Sequence, residues 1–260
     1  MKYTFTLLLA VACSSLLAQD VEMALVKGGK YVPLYGGKGV GIAVDDFYLD
    51  VTPVTHSQYL TFVRAYPKWK KSKVSRLFAD ERYLQNWSDD TSPEEALLNS
   101  PVNYVSWSAA KAYCEAQGKR LPTVDEWEYA AMADETSPDA RKDSTFNLKV
   151  IKGYETPKSH TKVVGRSPAN YWGIKDLHGL VWEWNLDFNA IVLGSESRKP
   201  DNTNNITLWC GGAAINANDL MDYAAFMRYA MRSSLKARYA LISLGFRCAK
   251  DAVSEEPAIP

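Results

Sequence analysis

Histidine is scarce in this chain. His56, His160 and His178 are the only three in 260 residues. No H-x3-H pair and no H-x-D/E set stands among them, so a three-histidine metal centre lacks its ligands. A lone His near apolar residues is more often a satisfied structural group. Cysteine is nearly as rare, with only Cys13, Cys114, Cys210 and Cys248, and none pairs with a histidine in a local catalytic signature. An excess of either charge is also missing: 30 Lys and Arg balance 30 Asp and Glu. Nothing therefore asks for nucleic acid or an anionic membrane as partner. There is no G-x-S-x-G elbow. The stretch GKGVG at 37–41 is followed by neither Gly-Lys-Ser/Thr nor a helical pattern, so it is not a phosphate loop. No internal repeat and no Pro- or Gly-rich linker divides the chain, which points to a single domain.

What is present is apolar and aromatic. The hydrophobic fraction is 47%, with eight Trp and fifteen Tyr, enough for a substantial core anchored by large rings. At the start, Lys2 precedes an apolar stretch, 5–17, with small residues near Ala18. This is a secretory signal covering 1–18, too short to span a bilayer as a helix, so the protein is expected to be exported, periplasmic and not transmembrane. The alternative is a lipobox, Ala10-Val11-Ala12-Cys13, with a lipid anchor on Cys13. Export would leave Cys114, Cys210 and Cys248 in a compartment that permits disulfides, which allows one bridge and one leftover thiol. The acidic, Pro-containing tail 250–260 is expected to be disordered, leaving 19–249 as the domain.

Gly pairs among apolar residues give strands and turns over 21–50. Tyr59, Phe62, Val63 and Tyr66 at helical spacing predict a helix over 56–66 that ends before Pro67. The stretch 78–87 predicts a short helix. Ser106 opens a helix ended by Gly118, and the capping box from Thr123 to Glu126 opens another that buries Trp127, Ala130 and Ala131. Residues 134–168 are polar and irregular. Lys68, Lys70, Lys71, Lys73 and Arg76 around Trp69 form a basic surface, either merely solvated or a docking patch for an acidic partner.

The most unusual stretch is 172–188, WGIKDLHGLVWEWNLDF. Trp182 and Trp184 flank Glu183, and indoles of that size are normally buried with the N–H satisfied. Asp176, the turn residue Gly179 and Glu183 together offer oxygens for a hard cation. The competing reading is that the acids cap turns and pair with arginine.

GIKDLHGLVWEW resembles the N-x-x-G-N-V-W-E-W signature of the formylglycine-generating enzyme (sulfatase-modifying factor) family. Four further stretches agree in order: 46–59, 101–131, WCGGA at 209–213 and LGFRCA at 244–249. Within the family, LVWEW-x-x-DFN followed by DYAAFMRYAMRSSLKARY is most similar to the NirV-type branch, accessories of copper nitrite reductase. The resemblance implies a mixed α+β, low-regularity, C-type-lectin-like fold. It implies a disulfide between Cys114 and Cys248, closing a loop of about 130 residues worth on the order of 4 kcal/mol. It also implies a structural calcium held by Asp176 and Glu183 side chains and the Gly179 and Val181 carbonyls.

The family's reaction, oxidation of a substrate cysteine, uses a C-x4-C pair that holds copper(I), because soft thiolates are the ligands this ion prefers. Counting forward from Gly211-Gly212 places Asn216 and Met221 there, and counting back from Arg232-Ser233 places Ala224. No cysteine fits, so copper is not expected and no catalytic residue is assigned. Cys210 and Met221, with Met227 or Met231, are the remaining soft donors. The strip holds instead Asp219, Asp222, Arg228, Arg232, Lys236 and Arg238 among aromatic residues. It is either a charged loop pairing with itself or a remodelled cleft, with Trp182 and Cys210, that binds a protein segment. Three functions follow from different classes: a non-catalytic accessory of a copper nitrite reductase; a divergent copper- and oxygen-dependent oxidase centred on Cys210; and a cell-envelope binding module using a lectin-like surface.

Overall fold

The computed structural model describes residues 21–35, 39–189 and 222–252. Residues 1–20 with Cys13, together with Cys210, Asp219, Met221 and the residues after 252, lie outside the described residues.

Apolar alternation builds the first sheet. β1 (Met23–Val26) pairs antiparallel with β4 (Phe47–Asp50), placing Val26 opposite Phe47. β7 (Ala249–Asp251) adds to the other edge of β4, with Leu49 opposite Ala249. Phe47 and Leu49 are buried while Tyr48 between them is exposed, the period of two that a one-sided sheet requires. The inner face packs on Trp127, Ala130, Ala131, Ile174 and Leu177. The tail predicted from residue 250 therefore starts too early. Lys250 and Asp251 are strand residues opposite Tyr48 and Phe47, and the Asp251 carboxylate accepts from Arg120 at 2.9 Å. A second antiparallel pair, β2 (Gly29–Tyr31) with β3 (Ile42–Val44), completes the strands expected in 21–50.

The helices begin where side-chain oxygens can satisfy free N–H groups. α1 (His56–Ala65) and α3 (Val124–Ala131) each open with a reciprocal capping box, Thr55 with Gln58 and Thr123 with Glu126. α2 (Trp107–Ala116) starts at Ser106, and Gly118 follows it at φ +66°, where a side chain would be strained. Tyr59, Phe62 and Val63 of α1 meet Ala109, Ala110 and Tyr113 of α2 in an apolar cluster with Trp87, Trp184 and Phe246. The Cys114–Cys248 disulfide ties α2 to the residue just before β7.

Two local expectations are corrected. The short helix over 78–87 is a run of turns. Its donors have other partners: Leu84 N–H binds the Tyr104 carbonyl at 2.9 Å, Arg82 N–H binds the Asp80 carboxylate, and Leu84 sits at φ +50°. The irregular stretch 134–168 contains a helix, α4 (Ser144–Glu155), capped by Asp143. Only Val150 of α4 is buried, so its apolar period is too thin to see in sequence.

The remaining elements frame the site. β5 (Trp182–Glu183) runs parallel to β6 (Leu244–Gly245). A Cβ on Gly245 would stand 2.6 Å from the Val102 carbonyl, so only glycine fits there. α5 (Tyr223–Ser233) is capped by Asp222, whose side chain accepts from Ala225 N–H at 3.0 Å. The architecture is a mixed α+β single domain of low regularity. Among the described residues, no helix is long and apolar enough to cross a membrane.

Candidate functional site

The extended conformation at β5 sends Glu183 inward, where it meets Arg247. Both side chains have no exposure. Arg247 Nε and Nη2 donate to the two Glu183 oxygens at 2.8 and 2.9 Å, and Trp127 Nε1 donates to Oε2 at 2.8 Å. The other Arg247 donors reach the carbonyls of Asp50, Val51 and Lys175 at 3.0 to 3.1 Å. One guanidinium thus joins β4, the 172–184 segment and the end of the chain. Removing one member of such a pair leaves a buried charge unmatched, at a cost of roughly 3–5 kcal/mol.

A second buried network lies on α5. The helix period places Arg228 and Arg232 on one face, four residues apart, and both reach Glu128 of α3. Arg228 grips the carboxylate through Nε and Nη2 at 2.7 to 3.1 Å, while Arg232 adds a contact at 2.5 Å and donates from Nε to Asn185 Oδ1 at 2.7 Å. Burial alone would raise the Glu128 pKa, but the two guanidiniums outweigh it and hold the carboxyl well below its usual range. Both cations also sit over the Trp127 ring, at 5.6 and 5.0 Å from its centroid. The space left between Trp127, Tyr154, Trp182, Arg228 and Arg232 is about 10 Å³, room for one water.

The network continues to His178. Arg228 Nη1 donates to the Tyr154 hydroxyl at 3.2 Å, and that hydroxyl lies 3.0 Å from His178 Nδ1. His178 Nε2 faces the Ala131 carbonyl at 2.9 Å, which fixes the proton on Nε2 and leaves Nδ1 to accept. Burial among Trp127, Phe146 and Tyr154, with Arg228 adding repulsion, pushes the His178 pKa down to about 3. His56 is likewise neutral. It is buried at 1% exposure, accepts from Trp87 Nε1 at 2.9 Å, and burial lowers its pKa to about 4. His178 is a satisfied structural group, and His56 is a buried neutral one whose Nε2 lies 3.5 Å from the Asn86 amide nitrogen.

The cleft expected along the strip is thus closed where it is described. Asp222 serves as a helix cap, and Arg228 and Arg232 are spent on Glu128. Trp182 packs against Tyr154 in a tilted pair with centroids 4.6 Å apart. Cys210 and Asp219 lie outside the described residues. The strip is not a loop pairing with itself either, because its arginines leave α5 to find their carboxylate. Glu128, Tyr154 and Arg247 were not singled out in the sequence. Arg247 stands inside the LGFRCA motif, but Glu128 and Tyr154 carry no local signal.

The four expected calcium ligands do not form an ion cage as folded. The Gly179 and Val181 carbonyls accept no hydrogen bond among the described residues. The carboxylates, however, are claimed: Glu183 by Arg247 and Trp127, and Asp176 by Gly165 N–H and by Ser167 N–H at 3.3 Å. A guanidinium already sits at the carboxylate that a divalent cation would need, so the acids cap turns and pair with arginine, and calcium does not fit this arrangement. Gly179 has its own reason to be glycine: at φ +93°, its added Cβ would be 3.1 Å from Gly153 Cα on α4.

Fold and site together define a formylglycine-generating-type domain whose α5 helix carries a closed, buried ion-pair network. The chain belongs to the sulfatase-modifying factor enzyme 1-like domain family, whose model matches residues 15–252. It is 30% identical over 212 residues to the inactive C-alpha-formylglycine-generating enzyme 2 of Bos taurus, covering 64% of this chain and 70% of that one. It is 26% identical over 253 residues to the formylglycine-generating enzyme of Mus musculus, covering 81% and 67%. Among solved structures it is similar to PvdO from Pseudomonas aeruginosa, at 17% identity and a TM-score of 0.49, covering 88% and 94%.

Two outcomes are expected. Unfolded imidazole takes up its proton near pH 6.5, whereas folded His178 and His56 hold off to about 3 and 4. Acid therefore favours the unfolded chain: this stability is complete above pH 6.5 and is lost as pH falls toward 4. Urea unfolding should lose roughly 4–5 kcal/mol between pH 6.5 and 4.5, and His178→Gln, which keeps a donor and an acceptor, should remove about half of that loss. For the ion, melting in calcium and in chelator should agree within about 1 °C. A rise of about 3 °C or more with calcium, lost in Glu183→Gln, would show a cage where the structure has an ion pair.

Proposed function

We propose that the protein is a non-catalytic exported accessory protein that uses a formylglycine-generating-type domain as a binding scaffold. Its task is to assist maturation or assembly of a copper nitrite reductase. The observation that carries the first part is the α5 network: just past the positions where the sequence would place a copper-binding thiol pair, Arg228 and Arg232 close on Glu128 and leave room for one water. No cysteine occurs between Cys210 and Cys248, so copper(I) has no thiolate pair in the strip. Similarity to a relative named as an inactive formylglycine-generating enzyme supports the same reading. The partner rests on LVWEW-x-x-DFN and the 222–239 stretch, which resemble the NirV-type branch.

The rival reading is a divergent copper- and oxygen-dependent oxidase built on Cys210. It has no second thiol in the strip, and it makes an opposite prediction. Copper(I) titrated into the mildly reduced protein against a colorimetric chelator should stay with the chelator, for the parent and for Cys210→Ser alike. Tight one-to-one binding lost in Cys210→Ser would overturn the non-catalytic assignment. For the partner, copper content of the nitrite reductase produced with and without this protein is the readout, and equal loading would remove the accessory role.

A further inference from the structure

The balance of charge over the whole chain conceals a local imbalance. Residues 64–78, which run from the end of α1, hold Arg64, Lys68, Lys70, Lys71, Lys73 and Arg76 and no acid. Among the described residues, none of these six forms an ion pair. Lys71 turns inward and donates to the Trp87 carbonyl at 2.5 Å, while Lys68, Lys73 and Arg76 are exposed. Asp90 meets the run, but its carboxylate accepts from Ser72 N–H and Ser72 Oγ, both at 2.7 Å. Just past the run, Asp80 is turned to the N–H groups of Arg82 and Ala240, and Glu81 is exposed. Cations therefore prevail across this face.

The same run exposes apolar side chains. Leu77 is 78% exposed, the highest value for a large apolar side chain among the described residues, and Phe78 and Tyr66 are 45% and 42% exposed. Their footing is fixed. Trp69 is buried, with its ring 6.1 Å from that of Phe78 and Lys68 Nζ 5.7 Å from its centroid. The Trp69 carbonyl accepts from the Tyr83 hydroxyl at 2.9 Å, which ties the run to the core. The turn that carries Leu77 also closes its own backbone. Leu77 N–H reaches Ser75 Oγ at 3.3 Å, and the N–H groups of Phe78 and Ala79 reach the Ser75 carbonyl at 2.9 and 3.1 Å. With these three donors satisfied, the tip can leave water without baring them, a condition that lipid imposes on any backbone entering it.

We propose that residues 66–78 dock the protein on the surface of an anionic lipid bilayer. Leu77 and Phe78 enter the headgroup layer, while Lys68, Lys73 and Arg76 lie at the lipid phosphates. A bilayer presents negative charge above an apolar layer, the same order in which this face presents cations around a protruding leucine. Long basic side chains suit that boundary, because their stems lie along apolar groups while their charged heads stay at the phosphates. A protein partner would instead need a hollow shaped for Leu77 with acids set around it. The contact is peripheral, and it is independent of the α5 network and of any nitrite reductase partner.

The full-length protein would be floated with vesicles of phosphatidylcholine alone and of phosphatidylcholine mixed with phosphatidylglycerol. Flotation with the mixed vesicles, reversed by high salt, is expected. Leu77→Ser should weaken that partition roughly tenfold, and so should Lys73→Glu combined with Arg76→Glu. Melting temperatures should not change, because these three side chains are exposed and make no side-chain hydrogen bond among the described residues. The apolar stretch 5–17 is the same in parent and variants, so a loss in the variants belongs to this face. No preference for the mixed vesicles, or equal flotation of parent and variants, would overturn the proposal. So would a loss confined to the charge variant with Leu77→Ser unchanged, which would make this face an ionic dock for an acidic protein.

Discussion

The interaction on which the rest depends is the contact of Arg247 with Glu183. A guanidinium with no access to water must satisfy five N–H donors internally, and here every one of its nitrogens has a partner. Those partners come from β4, from the loop at Lys175 and from β5, so the arginine fixes how three distant stretches meet. The Glu183 carboxylate in turn holds the Trp127 indole, which lies beneath both arginines of α5. The disulfide at the adjacent Cys248 and the nearby glycine at 245 serve the same junction. One sets the position of Cys248, and the other lets the chain pass against Val102.

From that junction the character of the site follows. A catalytic strip needs an open volume and soft ligands for copper. This strip carries a helix whose inward cations are matched to a carboxylate on the facing helix, with aromatic rings filling what remains. Glu128 is worth keeping only as long as both arginines stay, because a buried carboxylate without them would be forced to take up a proton. The network is thus a structural core.

Much of the frame was legible in the residues. Thr55 with Gln58 and Thr123 with Glu126 announce helix starts because each box satisfies two free donors locally, and α1 shows its period in Tyr59, Phe62 and Val63. The Cys114–Cys248 bridge came from the resemblance and is present. What stayed hidden depends on distant partners. Arg228 and Arg232 read as part of a self-pairing charged loop or of a remodelled cleft, since nothing nearby in sequence reveals Glu128, 100 residues before Arg228. Glu183 looked like a calcium ligand because the oxygen that would bind an ion is the same oxygen that binds a guanidinium. α4 was missed because a helix that buries one residue has almost no apolar stripe.

The most direct test of this account is a double-mutant cycle on Glu183→Gln and Arg247→Met, measured by urea unfolding in calcium-free buffer. If the buried pair is the organising contact, each single change should cost several kcal/mol. The double variant should then recover part of that loss, with a coupling energy of about 2 kcal/mol or more. Costs that add within about 0.5 kcal/mol would mean that the two residues do not depend on each other, and the junction would have to be held by something else.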